Sequence, residues 1–150
     1  MTNHPQELVI VGEMEAEIDV DIAPLIKLIW EYGLATSNCC QENHPGIVWI
    51  EFLTELDAVQ FLNIVAGEFS NEMDSLYNRI RREWEPEDVE SLGWWKFEAF
   101  LRDDSVMVSF DDDGNIDETP FGNIDFQFSI SVRFPRTDLE IATQRMMDAQ

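Results

Sequence analysis

Cys39, Cys40 and His44 lie within six residues of one another in the stretch TSNCCQENHPG, residues 36 to 46. These are the residue types from which thiol and metal chemistry is built. A thiolate nucleophile needs a nearby cation, an imidazole or a helix N-terminus to hold its charge. His44 supplies an imidazole, but Glu42 stands closer and no Lys or Arg occurs between residues 28 and 78. A negative neighbourhood keeps a thiol protonated, so local charge works against activation. In a strand Cys39 and Cys40 face opposite ways, and only one of them can meet His44; the candidate pair is Cys40 with His44. Zinc would use the same pair, yet it takes four ligands, or three when catalytic. With two Cys and two His in the chain, Asp or Glu would have to complete the set. There is no Cys-x-x-Cys and no His-Glu-x-x-His. His4, near a terminus expected to fray, is a poor ligand candidate. The plain alternative is a small buried side chain at a strand end, followed by a turn shaped by His-Pro-Gly.

A second candidate is SFDDDGNIDETP, residues 109 to 120. Asp111, Asp113 and Gly114, with Ile116 two residues later, match the middle of a calcium loop. Ser109 replaces the first acid, Pro120 replaces the bidentate Glu, and the flanks read as strands. A looser, weak calcium site from Asp111, Asp113, Asp117 and Glu118 competes with a simple hairpin turn built on Asp-Gly or Gly-Asn. The third is an acid row, Glu13, Glu15, Glu17 and Asp19, whose carboxylates stand about 6.6 Å apart on one strand face. Such a row could imitate spaced phosphates and occupy a nucleic-acid-binding protein. It could equally guard an edge strand, or pair with Lys96, Arg102 and Arg133 on neighbouring strands. Fourth, Arg79, Arg81 and Arg82 fall near a helix end, where the dipole favours cations and Glu83 and Glu85 can neutralise them. No Gly-rich phosphate loop or Gly-x-Ser-x-Gly elbow is present.

The elements that must position these residues follow from periodicity. EMEAEIDV alternates Met14, Ala16, Ile18 and Val20 with acids, the pattern of a half-buried strand, and Leu8 to Val11 forms an earlier one. DIAPLIKLIWEYG reads as a helix with Asp21 as N-cap, a buried face of Ile22, Leu25, Ile29 and Trp30, and a stop at Gly33. LATSNCC and IVWIEFL then form a hairpin through QENHPG, and TELDAVQFLNIVAG a helix capped by Thr54 and Asp57. Met73, Leu76, Tyr77, Ile80 and Trp84 mark a third amphipathic helix. WWKFEAFLR, SVMVSF and NIDFQFSISVRF read as strands. In the last, Ile124, Phe126, Phe128, Ile130, Val132 and Phe134 form a buried face, with Asp125, Gln127, Ser129, Ser131 and Arg133 on a wet one. A final helix follows, capped by Thr137 with Glu140. The expected fold is a single α+β domain over residues 1–150. It is a two-layer sandwich with a mainly antiparallel sheet and helices on one face, opening as a split β-α-β unit and continuing as a β-meander with a C-terminal helix.

Composition bounds what this domain can do. At 150 residues and 45% apolar, with ten Phe, five Trp and two Tyr, the chain can build a core without disulfides. No apolar stretch is long enough to span a bilayer, and the first residues lack the pattern of a secretory signal. Cytoplasmic location is expected, with both thiols reduced. Thirty-one Asp and Glu against nine Lys and Arg give a net charge of −22, which argues against direct binding to nucleic acid or membrane and favours a basic partner. The order helix, TSNCC, strand resembles, over about a dozen residues, the Thr-Ser-Ser-Cys segment of tRNA wybutosine-modifying enzymes. The basic residues that a tRNA-binding protein needs are absent, and no family is assigned on it.

Three functions remain. The leading one is a binding or regulatory module acting through protein contacts, with an exposed apolar patch around Trp94 and Trp95 and the option of a homodimer. The second is an acidic nucleic-acid mimic using Glu13, Glu15, Glu17 and Asp19. The third is a thiol- or metal-dependent enzyme centred on Cys40 and His44. Nothing in the sequence calls for a cofactor, and whether the protein is an enzyme stays open.

Overall fold

Gly12, at φ 59°, makes the tight turn that folds the first two alternating stretches back on each other. They form an antiparallel hairpin of β1 (Gln6–Val11) and β2 (Met14–Asp19). The structure is a computed structural model that describes residues 4–72, 75–80, 93, 95–101, 112–114 and 128–150. Helix α1 (Ala23–Glu31) follows, its N-cap at Ile22 and not at Asp21. Asp21 is drawn away by Arg136, which pairs with its carboxylate. Gly33, at φ 98°, stops the helix as expected. β3 (Thr36–His44) and β4 (Ile47–Phe52) make the second hairpin. Its turn is Pro45-Gly46, with Gly46 at φ 77°. Thr54 caps α2 (Glu55–Ala66) by accepting from the Asp57 N–H at 3.2 Å. Beyond it come α3 (Leu76–Arg79), β5 (Lys96–Leu101) and β6 (Phe128–Pro135). A 3₁₀ turn (Arg136–Asp138) then leads into α4 (Leu139–Asp148). Asp138, not Thr137, stands at the N-cap of α4, and its side chain caps nothing.

The strands form two antiparallel sheets, β1–β2 and a four-stranded sheet in the order β3-β4-β6-β5. With the helices they make an α+β sandwich, as the alternation predicts. The opening strands pair with each other as a separate sheet. The register pairs Val48 with Phe134, Ile50 with Val132 and Phe52 with Ile130. That apolar face packs on Leu25, Ile26, Ile29, Phe61, Val65 and Met146 from the helices. Fully burying each such side chain contributes about 1.5–3 kcal/mol. Met73, Trp84 and the strand expected at SVMVSF lie outside the described residues.

The other face of β6 departs from expectation. Ser129 and Ser131 are buried, because β6 is a central strand flanked by longer side chains. The Trp49 indole N–H donates to Ser131 Oγ, and the Arg133 guanidinium sits 5.8 Å from the Trp49 ring. Glu98 pairs with both Lys96 and Arg133. These two cations therefore serve the outer face of their own sheet and do not neutralise the acid row of β2.

Candidate functional site

The β1–β2 hairpin carries two features that bear on function, its outer face and its base. In the register, Leu8 stands opposite Glu17 and Ile10 opposite Glu15. Directly opposed residues share a face, so an apolar pair lies beside an acidic pair. Leu8 is 54% exposed and Ile10 57%, while Val9 and Ile18 turn inward to the core. Glu13, Glu15 and Glu17 are exposed, and among the described residues no Lys or Arg pairs with them.

The expected row ends there, because Asp19 is buried. Its Oδ1 accepts from the Gln6 amide at 3.0 Å, and its Oδ2 accepts from the Gln41 backbone N–H at 2.9 Å. Gln41 replies in kind, its Oε1 accepting from the Asp21 N–H at 2.9 Å. These bonds fasten the base of the hairpin to β3, an edge strand of the larger sheet. A bulge makes the contact possible: Cys40 pairs with Trp49 and His44 with Ile47, so three residues of β3 face one of β4.

The pairings also set the two thiols. Cys39 stands opposite Ile50 on the core face, and Cys40 opposite Trp49 on the other. Burial pushes the Cys39 thiol up to about 12, helped by the charge of Asp19 and by Cys40. Cys40 is also raised, first by burial and then by Asp19, against the pull of a backbone hydrogen bond at Glu42. Neither is an activated nucleophile at neutral pH.

His44 is exposed at the end of the hairpin, opposite Ile47, and the cluster that includes Cys40 is formed with His4. The ligand atoms of His4, Asp19 and Cys40 all lie within 4.8 Å of one another. His4 is held there because the Pro5 carbonyl accepts from the Val20 N–H at 2.9 Å, tying the first described residues to the end of β2. His4, expected to lie near a fraying terminus, is thereby anchored to the fold. No spacing signal links residues 4, 19 and 40. The only hint was that Asp19 ends an alternating strand.

The remaining candidates fare differently. Trp95 is 0% exposed, stacked on Phe134 with ring centroids 4.4 Å apart, and it donates to Asp138 at 2.9 Å. It is part of the core and no part of a surface patch; Trp94 lies outside the described residues. Asp113 is exposed in a turn at Gly114, and Asp111, Asp117 and Glu118 lie outside the described residues. Arg79 grips Asp138 through both guanidinium nitrogens. Among the described residues an apolar groove of about 460 Å³ also runs between α2 and the β5–β6 edge, lined by Val59, Leu62, Phe97 and Ile130. No helix among them is long and apolar enough to cross a membrane.

The chain is similar to the uncharacterized protein R428 of Acanthamoeba polyphaga mimivirus, 31% identical over 134 residues, covering 87% of this chain. It spans 61% of the length of that curated relative, whose name assigns it no function. No family model and no solved structure matches the chain.

Proposed function

We propose that the protein is a binding module acting through protein contacts, with the outer face of β1–β2 as its contact surface and a basic, apolar-anchored protein segment as its partner. The observation that carries this is the pairing of exposed Leu8 and Ile10 with unneutralised Glu17 and Glu15. Covering the two aliphatic side chains favours binding by about 1.5–3 kcal/mol each when burial is complete. The carboxylates choose the partner by sign and speed its approach. A nucleic-acid mimic is supported less, since its row of carboxylates loses Asp19 to burial and is interleaved with apolar residues. A second copy of this chain is also a poor occupant, because each carries a net charge of −22.

Fluorescence anisotropy with a labelled peptide of alternating Lys and Leu tests the assignment. Binding should weaken at least tenfold in the double variant Leu8→Ser, Ile10→Ser and hold in Val59→Ser, which alters the groove beside α2. Moderate salt should reduce affinity without abolishing it. Loss in Val59→Ser alone would move the contact surface to the groove. Binding that vanishes in salt and ignores Leu8 and Ile10 would reduce the hairpin to unspecific charge.

A further inference from the structure

We propose that His4, Asp19 and Cys40 form a binding site for a zinc-type divalent transition-metal ion at the base of the β1–β2 hairpin. The three residues come from three segments that the fold brings together: the N-terminal stretch, the end of β2 and the middle of β3. Their ligand atoms lie within 4.8 Å of one another. In a tetrahedral zinc complex, bonds of 2.0–2.3 Å put ligand atoms about 3.3–3.7 Å apart. Binding asks these atoms to draw together by no more than about 1.5 Å.

Two further observations point to a cation. Asp19 is a buried carboxylate whose partners are neutral donors, the Cys40 thiol and, through two amide bonds, Gln6 and Gln41; among the described residues no Lys or Arg pairs with it. A buried negative charge ordinarily finds a cation or a metal. Those same two bonds hold the carboxylate in a fixed orientation, as the outer partners of a metal ligand do. The donor set then selects the ion. One sulfur, one imidazole nitrogen and one carboxylate oxygen suit zinc and its neighbours, whereas magnesium and calcium ask for oxygen throughout. A carboxylate beside a thiol is the wrong neighbour for a nucleophilic thiolate and the right co-ligand for a cation. Three protein ligands leave the fourth position open to water or to a donor from elsewhere.

Cobalt(II) added to the tag-free chain is the test, because its tetrahedral thiolate complexes absorb strongly and carboxylate-bound cobalt does not. One equivalent should produce the sulfur-to-cobalt band, and zinc should bleach it. The band should disappear in Cys40→Ser and persist in Cys39→Ser and in His44→Ala. His4 is half-buried and is not one of the core residues, so His4→Gln should leave folding intact, as a melt of the metal-free protein will check; it should weaken cobalt binding by about 100-fold or more, beyond the 10–100-fold typical of losing an outer partner. Cobalt bound without a sulfur band would mean association with the acidic surface and would overturn the site. A band that survives Cys40→Ser or His4→Gln unchanged would overturn it as well.

Discussion

Asp19 and Asp138 are both buried, 5% and 6% exposed, and their surroundings differ in kind. Asp138 is closed by the protein itself: Arg79 takes both oxygens, and the Trp95 N–H adds a third bond. Asp19 is held by neutral donors only, two amides and the Cys40 thiol, with an imidazole nearby. The outer faces of the two sheets repeat the contrast. On the larger sheet, Trp49, Arg133, Lys96 and Glu98 cover one another. On the hairpin, Leu8 and Ile10 stay exposed beside acids that no described cation neutralises. One carboxylate is satisfied by an arginine of the protein, and the other has no described cation.

The largest expected effect lies at Asp138. Asp138→Ala strands a largely buried guanidinium and an indole N–H, and should cost about 3–5 kcal/mol in urea unfolding. Asp19→Asn in metal-free protein removes an acceptor from the Gln41 N–H and should cost about 1–3 kcal/mol. Equal losses would erase the distinction between the two carboxylates.

The next effect sharpens it. Zinc at about 100 times its dissociation constant should stabilise the native chain by about 2.7 kcal/mol. That gain should vanish in His4→Gln and on adding a chelator, while zinc should still stabilise an Arg79→Lys variant. A thermal melt with and without zinc reads it directly.

The thiols give a smaller, pH-dependent effect. Cys39 has its folded value pushed from its ordinary 9.0 up to about 12 by burial. The fold therefore binds this proton more tightly than the unfolded chain does. Its contribution to stability is complete below about pH 9 and is lost as pH rises from there toward 12. Denaturation midpoints should fall less steeply over that window in Cys39→Ala than in the native chain. The smallest effect is on the hairpin face, where Leu8→Ser and Ile10→Ser should each change stability by no more than about 0.5 kcal/mol while weakening peptide binding. A large loss would mean the pair belongs to the core.

Much of this architecture was legible because it is written in local periodicity. Alternation placed β2 and β6, and Gly33 and Thr54 marked helix ends. What stayed hidden depends on which strands become neighbours. Ser131 is buried because β6 lies between β4 and β5, and strand order has no local signature. Trp95 reads the same in sequence whether it faces water or Phe134. Position alone makes His4 a poor candidate in sequence, since the bond from Val20 to Pro5 that anchors it spans the whole hairpin. Of the proposed site, Cys40 carries a signal as a thiol near a histidine, and Asp19 only as the last acid of the alternating row, although it is buried.

On the functions proposed here, the hairpin and its base on β3 carry both the contact surface and the metal site. Amide NMR of the labelled chain, titrated first with zinc and then with the Lys–Leu peptide, tests it most directly. Zinc should move resonances around His4, Asp19 and Cys40–Gln41, and the peptide those of β1 and β2, while Trp95 and Asp138 stay still. Shifts that scatter over the acidic surface, or that gather at Arg79 and Asp138, would contradict it.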